Sequence, residues 1–417
     1  MIEELCAHFA IARRVRSAAL VARERTAGLA YPAQTTVAAN VLHAFIVQGA
    51  VESDLHGTVG YGYDDAARAC YESLLARIFG VERALARLSI VSGTHAIVAA
   101  LTACTPPGAT LVSITGRPYD TLRNAICDAP HSLVSRGIDY REIALRPDGE
   151  IDIAAVTALL ERETVHAIFV QRSRGYAPRP ALSIERCERA FAAIRAVAPD
   201  SIILVDNCYG ELVETREPTH AGADVVMGSL IKNLGGSIAP AGGYVAGRDE
   251  LVERIAAWLY APGLGSALGP SLGSARALLQ GLFLAPLVVE QCLRSLDFTA
   301  ALFEELGYDV DPKPGQPRSD IVQAIALRTP QALARFAEGL QSAMPVNACF
   351  RPEPGNVPGY AEPVIMSSGA FVAGATIELS CDAPLRAPYQ VYVQGGTSAM
   401  HGYLGALFAA NALEVEK

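Results

Sequence analysis

Ala223-Asp224-Val225-Val226-Met227-Gly228-Ser229-Leu230-Ile231-Lys232-Asn233-Leu234-Gly235-Gly236-Ser237 reads as a strand with no polar face that runs straight into a lysine and a glycine-rich turn. A strand apolar on both sides must be covered on both sides, as in a parallel sheet sandwiched between helices. The pattern repeats outward from this stretch. Strands are expected at 110–115, 167–171, 202–206, 224–230 and 243–246, with helices between them at 95–104, 119–127, 152–162 and 184–196. Continuous apolar strands alternating with helices predict an α/β fold with a mostly parallel sheet.

Residues 1–57 read as a helical arm, with apolar and basic positions at helical spacing over 5–25 and a break at Tyr31-Pro32-Ala33. A turn-rich loop at 57–65 carries Gly60-Tyr61-Gly62-Tyr63. A helix follows, capped by Asp64 or Asp65 and stopped after Phe79 by Gly80. Residues 270–306 form a long helical region, bent if anywhere near Pro286. The remainder mixes strands at 364–367 and 376–380 with helices at 330–344 and 398–412, a smaller α+β lobe. The expected division is a helical arm (1–57), a large α/β domain (58–290) and a small C-terminal domain (291–417).

Composition narrows the function classes. The 417 residues are 51% hydrophobic and 18% charged, the opposite of a disordered chain. A net charge of −9 without a basic, aromatic-interleaved cluster sets nucleic acid aside as a partner. The uncharged runs 88–116 and 255–275 are interrupted by Ser92-Gly93-Thr94, Pro106-Pro107-Gly108, Pro262, Gly263 and Pro270, so no membrane span is expected. The N-terminus lacks the layout of a signal peptide, and the nine cysteines are odd in number with no Cys-x-x-Cys. Buried reduced thiols and a cytoplasmic location follow as expectations. Histidines without ligand spacing point to no metal site, and neither Gly-x-Ser-x-Gly nor a Walker loop is present.

Of 34 basic residues only three are lysines: Lys232, Lys313 and Lys417. Lys417 ends the chain and Lys313 lies in the turn Asp311-Pro312-Lys313-Pro314-Gly315. Lys232 stands at the end of an apolar strand. Arginine cannot give up its proton, whereas a desolvated lysine can, and it can then attack a carbonyl carbon. The alternative is a structural lysine that snorkels.

Three further groups fall where ligands collect in an open α/β sheet, beyond the carboxyl ends of the strands. Ser92-Gly93-Thr94-His95 precedes a helix and suits a phosphate, or is a plain helix cap. Asp206 closes an apolar strand and needs a cationic or proton-donating partner: a pyridinium nitrogen, or an arginine. Tyr209 beyond it can meet a ligand or cap the packing. Tyr119 can stack on a flat ring or belong to the core. With Ser229 beside Lys232, the joint pattern matches what pyridoxal phosphate needs.

These motifs carry a resemblance. The chain resembles the aluminium-resistance, methionine γ-lyase-like (cystathionine β-lyase-like) family of fold-type I pyridoxal-phosphate enzymes over about residues 35–400. The resemblance rests on Gly60-Tyr61-Gly62-Tyr63-Asp64-Asp65, Ser92-Gly93-Thr94-His95, Arg117-Pro118-Tyr119-Asp120, Gln171-Arg172-Ser173-Arg174-Gly175-Tyr176, Asp206-Asn207-Cys208-Tyr209-Gly210-Glu211, Gly228-Ser229-Leu230-Ile231-Lys232-Asn233 and Pro384-Leu385-Arg386-Ala387-Pro388-Tyr389. It implies a seven-stranded sheet and pyridoxal 5′-phosphate as cofactor. Lys232 would hold the cofactor covalently and move protons, Asp206 would face the pyridine nitrogen, and Tyr119 would stack on the ring and assist the leaving group. Ser92, Gly93, Thr94 and Ser229 would hold the phosphate. Tyr61 and Tyr63 would reach the phosphate of a neighbouring subunit in a homodimer, itself half of a tetramer. Arg386 would bind the α-carboxylate of an amino-acid substrate, with Arg172 or Arg174 as competitors for that task. The implied reaction is β- or γ-elimination of a thiol or sulfide. Halide loss from a chlorinated amino acid and γ-replacement are the alternatives, and a non-catalytic binding protein is a remote one. Asn233-Leu234-Gly235-Gly236 departs from the family's Asn-Pro-Gly-Gly.

Overall fold

The computed structural model describes residues 2–414. Its first sheet contains β1 (Arg83–Arg87), β2 (Thr110–Ser113), β3 (Asp139–Glu142), β4 (Ala167–Gln171), β5 (Ile202–Asp206), β6 (Val225–Ser229) and β7 (Gly243–Gly247), in the order β1-β7-β6-β5-β4-β2-β3. The pairs from β3 through β6 are parallel, while β7 lies antiparallel between β6 and β1. Every residue of β4, β5, β6 and β7 is buried, the physical cause of their unbroken apolar runs. Strand β3 (Asp-Tyr-Arg-Glu) has no buried residue and β1 (Arg-Ala-Leu-Ala-Arg) is flanked by charge. Neither carries the apolar signal, and both were absent from the expected strands.

Helix boundaries follow local chemistry. The helix Ala66–Phe79 starts at Asp65, whose Oδ1 accepts from the Arg68 N–H at 2.9 Å, and stops at Gly80 in the left-handed region. The single helical run expected over 5–25 is two helices, Ile2–His8 and Arg13–Ala27. Between them Ala10 takes φ 52°, and the Ala12 N–H is received by the Asn411 side chain at 2.8 Å. That tertiary bond replaces a helical one. The break expected at Tyr31-Pro32-Ala33 falls at residues 28–31, and Pro32 itself opens a third helix, Pro32–Gln48, where its missing N–H costs nothing.

The second sheet is antiparallel throughout. It contains β8 (Asp309–Asp311), β9 (Val322–Ala326), β10 (Pro354–Gly355), β11 (Val364–Ser368), β12 (Ser380–Pro384) and β13 (Gln390–Gln394), in the order β10-β11-β12-β13-β9-β8. The strand expected at 376–380 begins only at Ser380. Residues before it form turns in which the Glu378 carboxylate accepts from the Phe371 and Val372 N–H groups.

Ala275–Glu305 is the one described helix long and apolar enough to cross a membrane by length and composition. It is the packing axis of this fold: Leu282, Val289, Leu296, Phe298 and Phe303 are fully buried, and its Asp297 accepts from Tyr31 and Arg318. Gly281 on this helix meets Gly235 and Gly236 closely enough that a Cβ on Gly281 would lie 2.4 Å from the Gly235 carbonyl oxygen. Only glycines permit this approach, and it seats the turn that follows Lys232.

Candidate active site

Asp206 ends β5, Ser229 ends β6, and Lys232 follows Ser229 by three residues, so the parallel strands deliver all three to the carboxyl end of the sheet. A cavity of about 380 Å³ opens there, within the usual range of small-molecule sites. Ser92, Gly93, Thr94, Tyr119, Asp206, Tyr209, Ser229 and Lys232 all line it. Eight of the thirteen residues singled out from the sequence are thus brought together.

The Lys232 Nζ sits 3.9 Å from the centre of the Tyr209 ring. Burial works against its charge, but Cys208, Tyr209, Asp206 and Tyr119 outweigh burial and hold the ammonium above an ordinary lysine. Tyr209 is placed by strained backbone, with φ 71° in the left-handed region. Asn233 locks that turn by donating from Nδ2 to the carbonyls of Tyr209 (3.1 Å) and Glu211 (2.8 Å). The residue after the lysine therefore fixes the loop that carries the aromatic partner.

Burial pushes the Asp206 carboxyl above the usual carboxylate range, against the pull of Lys232, the Cys208 N–H and Arg179. Its hydrogen bonds come from Cys208: Oδ1 accepts the backbone N–H at 3.1 Å, and the side chain bonds the carboxyl as well. A buried carboxyl at this strand end suits a donor of the kind a protonated ring nitrogen provides. Tyr119 is held at both ends. Its backbone N–H donates to Gln171 Oε1 at 3.0 Å, and its hydroxyl lies 2.9 Å from Thr94 Oγ1. The helix Gly93–Cys104 points its N-terminus at the same cavity, with Ser92 Oγ accepting from His95 N–H at 3.0 Å. A Cβ on Gly93 would come within 3.2 Å of Cys208 Sγ and 3.3 Å of Ser229 Cβ, a cradle that a bare backbone leaves open for an anion. An amine, a buried carboxyl at a strand end, a ring face and an N-terminal anion cup fit pyridoxal phosphate.

The remaining sequence candidates lie outside the lining. Tyr61 and Tyr63 are 75% and 57% exposed on a loop stapled by Asp65, which accepts from Thr58, Arg68 and Ser271. Arg172 is fully buried and committed: Nη1 donates to Asn207 Oδ1 and the Gly210 carbonyl, both at 2.8 Å, and Nη2 to Glu214 at 2.6 Å. It clamps the turn after β5. Arg174 donates to Asp311 at 2.7 Å. Arg386 is partly exposed and donates to Asp120 Oδ2 and the Tyr176 carbonyl, each at 3.1 Å.

Several lining residues were left unassigned by sequence reasoning. Gln394 at the end of β13 and Tyr360 between β10 and β11 come from the second sheet's part of the chain, and Tyr176 and Cys208 follow β4 and β5. Gln394 donates from Nε2 to the buried Asp382 at 2.8 Å and accepts from Ser380 Oγ at 3.1 Å. Its signal was available: like Asp206, it is a polar residue ending an apolar strand, here before Gly395-Gly396.

The profile of the methionine γ-lyase family matches residues 27–414. The chain is similar to a carbon–sulfur lyase involved in aluminium resistance from Clostridium novyi NT, at 36% identity and TM-score 0.92 over 98% of both chains. A Clostridium acetobutylicum protein, provisionally described as a cystathionine β-lyase involved in aluminium resistance, is 39% identical with TM-score 0.93, covering 99% of this chain and 98% of that one. An uncharacterized Bacillus subtilis protein, YnbB, is 43% identical over 355 residues, 84% of each chain. The chain belongs to the methionine γ-lyase family of fold-type I enzymes, and pyridoxal 5′-phosphate is the cofactor its site is shaped to hold.

Proposed function

We propose that this protein eliminates a thiol-type leaving group from the β or γ carbon of an amino acid. The carrying observation is the buried Lys232 amine at the wall of the cavity that Asp206 also lines, over the Tyr209 ring. The lyase names borne by its relatives support the reaction class.

Bound pyridoxal phosphate supplies an electron sink that acidifies the carbon beside the amino group. The protein's own groups do the rest. Lys232 would hold the cofactor and would move protons between substrate carbons. Asp206 would keep the ring nitrogen protonated. Tyr119 would help to hold the ring, and its hydroxyl, which lies by Thr94, would protonate a departing sulfur. Ser92, Gly93, Thr94 and Ser229 would bind the phosphate. Tyr61 and Tyr63, exposed here, reach the phosphate of a second copy in a homodimer.

Arg386 is our choice for the substrate carboxylate. Arg172 is spent on internal partners and Arg174 is paired with Asp311, whereas Arg386, outside the lining, is partly exposed, bonds the carbonyl of the lining residue Tyr176, and can exchange Asp120 for another carboxylate. Arg386→Ala is expected to raise KM for the amino acid by about 10–100-fold, the worth of a charge-assisted pair, with kcat changed less. An unaltered KM would remove Arg386 from this role.

The reaction is tested by supplying the cofactor-loaded enzyme with L-cystathionine, L-methionine and O-succinyl-L-homoserine. Thiol release is followed with a thiol reagent, and oxo-acid release by coupled reduction. Thiol and oxo acid in equal amounts from at least one sulfur substrate is the expected result. Oxo acid from the succinyl ester alone would assign a different leaving group.

A further inference from the structure

Asp382 is a carboxyl group buried in the second sheet for which the chemistry above has no use. It is 3% exposed, and no arginine or lysine pairs with it among the described residues. A buried acid without a cation costs stability unless its hydrogen bonds offset the lost hydration. Its two side-chain partners both line the cavity. Gln394 donates from Nε2 to Oδ2 at 2.8 Å, and the Tyr176 side chain bonds the carboxyl as well.

The pleat brings these groups together. Ser380 stands opposite Gln394 in the β12–β13 pair, and Asp382, two residues along β12, falls on the same face. The Gln394 amide is gripped from both sides: Oε1 accepts from Ser380 Oγ at 3.1 Å while Nε2 donates to Asp382. An amide between two hydroxyls can sit either way round, but opposite a carboxylate acceptor only its nitrogen end can face inward. The backbone is fixed too. Gly395 follows with φ 77°, and a Cβ there would lie 2.2 Å from the Thr376 carbonyl oxygen. The Gly396 N–H donates to the Ile377 carbonyl at 2.9 Å, holding β13 against the loop that brings Ala373 and Gly374 to the cavity. Of the two Nε2 hydrogens Asp382 takes one, and no acceptor among the described residues takes the other.

An amino-acid substrate commits its nitrogen to the cofactor, and its leaving group varies. Its carboxylate is the acceptor that every such substrate brings. We infer that Gln394 donates its remaining Nε2 hydrogen to the carboxylate of the bound amino acid, and that Asp382 is the positioning residue that holds this donor in place. The inference rests on the reading of the cavity as a pyridoxal-phosphate site for amino acids. It adds an uncharged donor from the lining to the charged one assigned to Arg386.

The test uses the full-length holoenzyme and two ligands without a leaving group: L-norleucine, and pentylamine, which is the same molecule without its carboxylate. Dissociation constants are measured by calorimetry. In Gln394→Met, norleucine should bind about tenfold more weakly, the loss of one hydrogen bond to a charged group, while pentylamine should bind as it does to the wild type. Asp382→Leu should show the same selective loss, and the double variant should lose no more than either single one. Asp382→Asn, whose side-chain oxygen can still accept from Gln394, should keep the wild-type affinity. Equal losses for both ligands would make Gln394 part of the scaffold and overturn the inference, as would an unchanged norleucine affinity in Gln394→Met. Additive losses in the double variant would overturn the role of Asp382. Should Gln394→Met fail to fold, the wild type carries the test: one Hε resonance of the ¹⁵N-labelled Gln394 amide should shift with norleucine and stay in place with pentylamine, and equal shifts would overturn the contact. Failure of the wild-type holoenzyme to bind either ligand would overturn the site reading instead.

Discussion

Lys232→Ala is expected to lose turnover by on the order of a thousandfold or more while the fold survives. Among the described residues Lys232 is the only amine that lines the cavity, and the other described lysine, Lys313, is paired with Glu304. No second described amine is there to take over its chemistry. The fold should tolerate the change because the side chain's chief contact is the Tyr209 ring, and its removal takes a charge out of a buried site. The Asp206 carboxyl, already raised by burial, can take up a proton when its cationic neighbour goes. The visible absorbance of covalently held cofactor, and its bleaching by borohydride with a label on residue 232, should disappear in the variant. Circular dichroism and the melting temperature should stay near the wild type. Lys232→Arg is the stricter comparison: it keeps the charge but cannot give up a proton, and it should be equally inactive. Turnover retained in either variant would end the assignment of Lys232.

The same residues show why some of this molecule was readable and some was not. Strands β4 to β7 were legible because burial on both faces forces a run of apolar residues, and a polar residue at the end of such a run, Asp206 or Ser229, stands out. The rarity of lysine then made Lys232 conspicuous. Strands β1 and β3 were illegible because they lie at the sheet's two edges, where charge is tolerated and the apolar signal fades. The arginines were the hardest to sort. Arg172, Arg174 and Arg386 all follow strands, and nothing in their spacing says which donors are already spent. That depends on Glu214, Asp311 and Asp120, which lie between 42 and 266 positions away in the chain. Gln394 and Asp382 reach the site by antiparallel pairing in the second sheet, so local periodicity could not place them there.

Stability is expected to fall as pH rises, with Glu211 as one source. Its side chain is fully buried beneath Gly228. Oε1 accepts from the Tyr244 hydroxyl at 2.9 Å, and Oε2 has no hydrogen-bond partner among the described residues. Burial, with Glu217 adding to it, pushes this carboxyl up to about 8. In the unfolded chain it titrates near the ordinary glutamate value of about 4.3. Between these two values the folded protein keeps a proton that the unfolded chain has lost. The contribution is therefore complete below the unfolded value and disappears as pH rises toward and through 8. The separation corresponds to several kcal/mol, on the order of 5, across that window. Glu211→Gln removes the titration while keeping the shape. The denaturation midpoint of the variant should be flatter with pH than that of the wild type, and the variant should gain relative stability between pH 5 and 9. Glu72, raised by burial to about 6 against the pull of Arg87, leaves a residual slope of the same sign in both proteins, so the difference between them isolates Glu211. Parallel pH profiles for the two proteins would show that Glu211 is ionised in the fold, and its charge would then have to be met by the Lys232 side of the site. The pH at which the cofactor pocket holds together is thus set partly by a carboxyl that never enters it.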